Sequence, residues 1–168
     1  EIVQRDATGL TTRSQLTFPS AGGRTMTDSL ADGTARNRQT GTDGRSQHQM
    51  PDGSSVSVTQ GADPRWGMQA PVLSQQVIKT PQGLSLTNSS TRTVNLADPQ
   101  NPLSLTRTEQ RTTWNGATFI ATYSAANRHL ILRTPTGRVT TNRFDETGRL
   151  IEQRVPGQQP KRLEYAAD

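Results

Sequence analysis

The stretch Phe144-Asp145-Glu146-Thr147-Gly148-Arg149-Leu150 places an aromatic and an aspartate before a Thr-Gly pair, and an Arg-Leu pair after it. Glycine reaches positive φ without steric cost, so a glycine among short polar residues marks a tight turn. The flanks then read as two strands meeting at Gly148. Tyr165-Ala166-Ala167-Asp168 reads as the same unit beginning again, and Tyr123-Ser124-Ala125-Ala126-Asn127-Arg128 as the unit before. Tyr123, Phe144 and Tyr165 fall at an equal step of 21 residues. A fixed step between like residues is the mark of a repeat architecture.

Working outward, residues 114–168 are the most regular. Trp114-Asn115-Gly116-Ala117 predicts a two-residue hairpin turn. Phe119, Ala121 and Tyr123 then alternate with Ile120 and Thr122, as a strand with two faces requires. Turns at 125–128 and at Pro135-Thr136-Gly137 bound a strand over 129–133. Each period therefore holds two strands and two turns, one hairpin per repeat. In residues 1–60, Asp32-Gly33, Asp43-Gly44 and Asp52-Gly53 predict type I′ turns between short polar strands, the pattern of an antiparallel meander. The Arg36–Gly41 stretch has little apolar character, so its register is expected to be weakly specified.

Residues 61–71, GADPRWGMQAP, carry two prolines and two glycines and predict a corner or loop. Trp66 and Met68 within it are expected to tuck under the sheet. The alternative is an exposed Arg65-Trp66 pair that contacts a glycan or a partner. Between 72 and 113 the strand candidates are 77–78, 84–87, 93–96 and 103–106. The predicted turns lie at 81–83, at Asn88-Ser89-Ser90 and, widest of all, at 98–102. No helical periodicity of useful length occurs. The expected class is all-β, an antiparallel β-hairpin repeat ribbon with little or no helix.

Composition agrees with a thin, half-wet sheet. Hydrophobic residues make up 29% of the 168 residues and aromatics 4%, while threonine occurs 25 times. Threonine suits a pleated, half-exposed surface better than a helix. Low hydrophobicity alone also fits disorder, but the net charge of +5 is modest for a disordered chain of this length. Cysteine is absent, which excludes disulfides and thiolate chemistry. No apolar run is long enough to cross a bilayer, so no membrane insertion is expected. Seventeen arginines dominate the positive charge. They are scattered in sequence, so they read as solvated strand faces and cross-strand partners of carboxylates rather than as a nucleic-acid patch.

Catalytic chemistry finds little to work with. The two histidines, His48 and His129, have no Gly-x-Ser-x-Gly elbow and make no metal-ligand spacing. No phosphate-binding or dinucleotide glycine pattern is present. No enzyme activity and no cofactor is expected. Trp66, Trp114 and nearby arginines are the candidate contacts of a binding module.

Phe144–Leu150 resembles the repeat of the YD-repeat (Rhs repeat) family, roughly Tyr-Asp-x-x-Gly-Arg-Leu, with Phe144 in place of tyrosine. Arg5-Asp6-Ala7-Thr8-Gly9-Leu10 resembles it in part. Asp52-Gly53 through Val58-Thr59 and Gly61, followed by Asp63–Pro71, resembles a second segment of bacterial YD-repeat proteins. The resemblance implies that residues 1–168 form a β-sheet segment of a larger protein, a shell enclosing a C-terminal toxin or effector polypeptide, secreted or at the cell surface. The alternative is an extracellular adhesion module that binds a glycan or a cell-surface protein. It implies structural roles for Phe144, Asp145, Gly148, Arg149, Leu150 and Tyr165: Phe144 packs between turns of the ribbon, Gly148 permits the turn, and Asp145 and Arg149 hydrogen-bond across it. The partners implied are other repeats and the enclosed polypeptide. The Asp-Pro-x-Gly-Leu mark of the family's self-cleaving module is matched neither by Asp63–Met68 nor by Asp98–Pro102, so self-cleavage is not implied.

Overall fold

The computed structural model describes residues 1–166. Ala167 and Asp168, the end of the expected new repeat, lie outside the described residues. Fourteen antiparallel strands follow one another, each hydrogen-bonded to its neighbours in sequence, and the described residues contain no helix. The chain divides into two compact units, one of Glu1–Gly61 and Val72–Ser89, the other of Ala62–Pro71 and the chain from Ser90 onward.

In the first unit lie β1 (Ile2–Arg5), β2 (Thr11–Thr17), β3 (Arg24–Ser29), β4 (Ala35–Thr40) and β5 (Arg45–Gln49), with most of β6 (Ser55–Asp63) and of β7 (Gly67–Lys79). Paired residues share a face, and alternate residues along a strand change face. The register therefore makes two different faces. One carries the row Gln15, Thr27, Asn37, Gln49 and Ser55, all uncharged and polar. The other carries Leu16, Met26, Arg38, His48 and Val56. The polar Arg36–Gly41 stretch is nevertheless held in register. Asp28 of β3 is buried, and its carboxylate accepts a 2.6 Å hydrogen bond from Ser14 Oγ on β2 and a 2.7 Å one from Arg36 Nε on β4. A slip of one residue would turn Asp28 away from both donors.

β8 (Ser85–Leu96) begins in the first unit and ends in the second, which continues with β9 (Leu105–Trp114), β10 (Ala117–Ser124), β11 (His129–Arg133), β12 (Val139–Phe144), β13 (Leu150–Arg154) and β14 (Lys161–Arg162). The two-residue turn at Asn115-Gly116 has φ of 46° and 88°, the two positive values of a type I′ hairpin, with Trp114 paired to Ala117.

The Asp-Gly turns correct the sequence reading. Only their glycines have positive φ; Asp32, Asp43 and Asp52 do not. The N–H groups of Leu30, Gly41 and Met50 donate to the carbonyls of Thr34, Arg45 and Ser54, closing three-residue loops whose last residue is the left-handed glycine. The 61–71 region is also more regular than expected. Its turn is confined to residues 64–66, and Pro71 lies inside β7. Proline removes one donor, but its fixed φ still lies within the broad β region. The turn expected at Asn88-Ser89-Ser90 does not exist, because β8 runs straight through it. The 98–102 loop is part of the eight-residue connection between β8 and β9.

No apolar side chain among the described residues is buried. The three buried residues are all acids, Asp28, Asp63 and Glu152, and each is paired with arginine. Met68, expected to plug a core, is 53% exposed.

Candidate functional site

The turn at Asp145 shows how the local sequence closes a hairpin. The N–H of Asp145 donates to the carbonyl of Arg149 (2.9 Å), and the N–H of Gly148 donates back to the carbonyl of Asp145 (3.2 Å). Gly148 sits at φ 83°, where a side chain would be strained although nothing crowds its Cβ position. Asp145 Oδ1 accepts from the N–H of Thr147, the hydroxyl of Thr147 and the N–H of Arg149, and Oδ2 accepts from Arg149 Nε at 2.9 Å. Both oxygens are thus committed. The N–H of Arg149, its guanidinium and Thr147 together hold this carboxyl far below the usual carboxylate range. A carboxylate so engaged is a turn clamp and offers no base for proton transfer.

Arg149 links this turn to Tyr165. Its guanidinium lies over the Tyr165 ring at 4.9 Å, and the Tyr165 hydroxyl donates to the carbonyl of Leu150 at 2.8 Å. Phe144 closes β12 opposite Leu150, next to an irregularity in the β12–β13 register, and both side chains are half-buried. The sequence motif Asp145, Gly148, Arg149, Leu150 and Tyr165 is therefore one connected set of contacts, with Phe144 at its edge.

The same closure recurs. In turns beginning at Asp6, Leu30, Met50, Thr80 and Thr134, the first residue exchanges the same two backbone hydrogen bonds with the residues three and four positions on. In each, a side-chain oxygen also caps the backbone N–H of the fifth residue or reaches it from the third. Asp6 caps Leu10, Asp32 caps Thr34, Asp52 caps Ser54, and the hydroxyls of Thr80 and Thr134 cap Leu84 and Arg138. Hydroxyl donors hold the carboxyls of Asp6, Asp32 and Asp52 below their ordinary value: Thr8, Thr34 and Ser54 respectively, helped by backbone N–H groups. The sequence reading included the glycines and, through the resemblance, the Asp145–Arg149 bond, but not the caps of the other turns. Their signal is an Asp or Thr three residues before the glycine, or an Asp directly before it.

The second set surrounds Asp63. Its Oδ1 accepts from the N–H of Arg65 (2.8 Å) and of Trp66 (3.3 Å), and its Oδ2 accepts from Arg92 Nη1 (2.9 Å). Arg92 Nη2 donates to Gln110 Oε1, and Gln110 Nε2 donates to Ser90 Oγ. Burial alone would raise this carboxyl, but the N–H of Arg65 and the Arg92 guanidinium outweigh it and the pKa falls. Arg65 and Trp66 are half-buried, with the guanidinium 5.7 Å from the ring centre. Trp114 is 51% exposed and tilted against Phe119, ring centres 5.3 Å apart.

His48 accepts a hydrogen bond from Arg38 Nε at Nδ1 (3.3 Å), and burial followed by the Arg38 charge lowers its pKa. His129 pairs with Ser124 and Arg143 across its strand neighbours. Among the described residues no three or more His, Asp or Glu side chains stand close enough to hold a metal ion, and no helix is long and apolar enough to cross a membrane. Compared with known proteins, the chain matches no protein-family model and no curated protein.

Proposed function

We propose that the chain is a structural segment of a YD-repeat shell that encloses a C-terminal toxin or effector polypeptide of the same parent chain, in a secreted or cell-surface bacterial protein. It has no active site of its own. The observation that supports this reading is the Asp145 turn. Asp145, Thr147 and Arg149 of the Phe144–Leu150 motif are engaged in closing the hairpin, and Glu146 pairs at the surface with Arg128. Recurrence of that turn along a succession of hairpins is what a repeat built for enclosure needs, since each hairpin finds its stability in its neighbours.

Limited proteolysis of the parent protein tests it. A downstream polypeptide should resist protease while the segment is intact, and become sensitive when the turns are loosened by Gly148→Val. Equal sensitivity in both proteins would overturn the reading.

A binding module is the second reading, favoured by the exposed Trp114 beside Phe119 and by Arg65 stacked on Trp66. It predicts glycan-array or cell-surface protein binding that is lost in Trp66→Ala or Trp114→Ala. Binding that survives both substitutions would remove its support.

A further inference from the structure

The arginines that are scattered in sequence are gathered by the register of the second unit. Across β9–β14, Arg107, Ser124, His129, Arg143, Glu152 and Arg162 form one row. Arg111, Ile120, Arg133 and Val139 form another on the same face, and Glu109, Thr122, Ile131, Thr141 and Arg154 lie between them. Among these paired residues, this face carries six arginines against two glutamates. The opposite face carries Trp114, Phe119, Tyr123, Leu130 and Leu132, with Lys161 as its one charged residue.

The two glutamates offset only part of the positive charge that a partner would meet, and the arginines remain the outermost groups. Each glutamate bridges two arginines and lies low: the Glu109 side chain is 20% exposed between Arg107 and Arg111 at 54% and 55%, and the Glu152 side chain is 10% exposed between Arg154 and Arg162 at 60% and 75%. Arg133 and Arg143 are exposed and have no carboxylate partner among the described residues. They stand on adjacent strands, four residue steps apart, or about 13 Å along the strands.

We infer that this face is a docking surface for an extended acidic polypeptide whose carboxylates alternate with apolar side chains. Carboxylates match the planar guanidinium fork in two-point hydrogen bonds. Ile120, Ile131 and Val139 lie among the arginines and offer apolar contact that a chain of alternating acidic and apolar residues would cover. A single-stranded nucleic acid is the poorer match, because the paired residues of this face include no Trp, Tyr or Phe on which bases stack, and His129 is their one aromatic ring. The inference does not depend on the shell reading, since a free adhesion module would present the same face.

The test is fluorescence anisotropy with a labelled peptide of alternating Glu and Val, titrated with the chain. The controls are the same peptide with Gln for Glu and a dT oligonucleotide of equal charge. The Glu peptide should bind, weaken as salt rises, and bind about tenfold more weakly to the Arg133→Gln/Arg143→Gln double variant, with Arg13→Gln without effect. The charge-reversed Arg133→Glu/Arg143→Glu variant should lose the peptide altogether. Circular dichroism identical to that of the parent chain confirms that each variant is folded. Absence of Glu-peptide binding, equal binding of the Gln peptide, binding unchanged in the double variant, or tighter binding of the oligonucleotide would each overturn the inference.

Discussion

At the scale of the residue, the turns concentrate the conformational cost of the fold in a few positions. Gly148 holds φ 83° with open space around it, so replacing it tests conformation alone. Gly148→Val should lower stability by about 1–3 kcal/mol, read as a drop in thermal midpoint by circular dichroism. Arg128 is the informative contrast, because it occupies φ 53° without being glycine. Arg128→Gly relieves that strain but loses backbone order and the 3.1 Å ion pair to Glu146, so its net effect should stay within about 1 kcal/mol. The clamp residue has a different signature. Asp145→Asn keeps an oxygen for the backbone N–H groups and should remain more stable than Asp145→Ala, which leaves them to water.

Titration belongs to this scale as well. His48 has a folded pKa below its unfolded value, so its contribution is complete above about pH 6.5 and declines as pH falls through that range. Asp6, Asp28, Asp32, Asp52, Asp63 and Asp145 are also depressed in the fold. Their contribution is complete above about pH 4 and is lost as pH drops below it, because the unfolded chain takes up protons first. Denaturant melts across pH should show a shallow decline below pH 6.5 and a steep one below pH 4. His48→Gln should abolish the first decline and leave the second.

At the scale of the element, the hairpin rhythm was legible because backbone geometry favours glycine and asparagine at most of the positions where the chain reverses tightly, Arg128 being an exception. Asn115-Gly116 is the clear case, read from sequence as a hairpin and found with both residues at positive φ. The Asp-Gly pairs were read one step too short, since the aspartate there serves as a side-chain cap rather than as a left-handed residue. Asn88-Ser89-Ser90 misled for the opposite reason: turn-forming residues have no veto over a strand whose neighbours supply a hydrogen-bonded ladder. The Asp63–Arg92–Gln110–Ser90 chain of contacts was invisible in sequence, because its members are brought together only by strand pairing. Asp63→Ala would leave Arg92 without its anion in a partly buried place and should cost about 3 kcal/mol. A denaturant melt checks this, and Arg65→Ala offers a comparison in which the anion and its partner both remain.

At the scale of the whole molecule, the described residues are held by ladders, turns and three sunken carboxylates, with no buried apolar side chain. Unfolding such a chain exposes little new apolar surface. Its heat-capacity increment should therefore fall clearly below the ordinary value of about 12–15 cal/mol/K per residue, which scanning calorimetry measures. The strand order has a consequence for how such a chain is made and altered. Because every strand pairs only with those just before and after it, contact order is low, and each hairpin can form as soon as its own two strands have left the ribosome. Inserting or deleting one hairpin changes the length of the series without re-addressing the pairing of any other strand. The gene can lengthen or shorten by whole hairpins, and selection can act on the number of repeats independently of the residues within them.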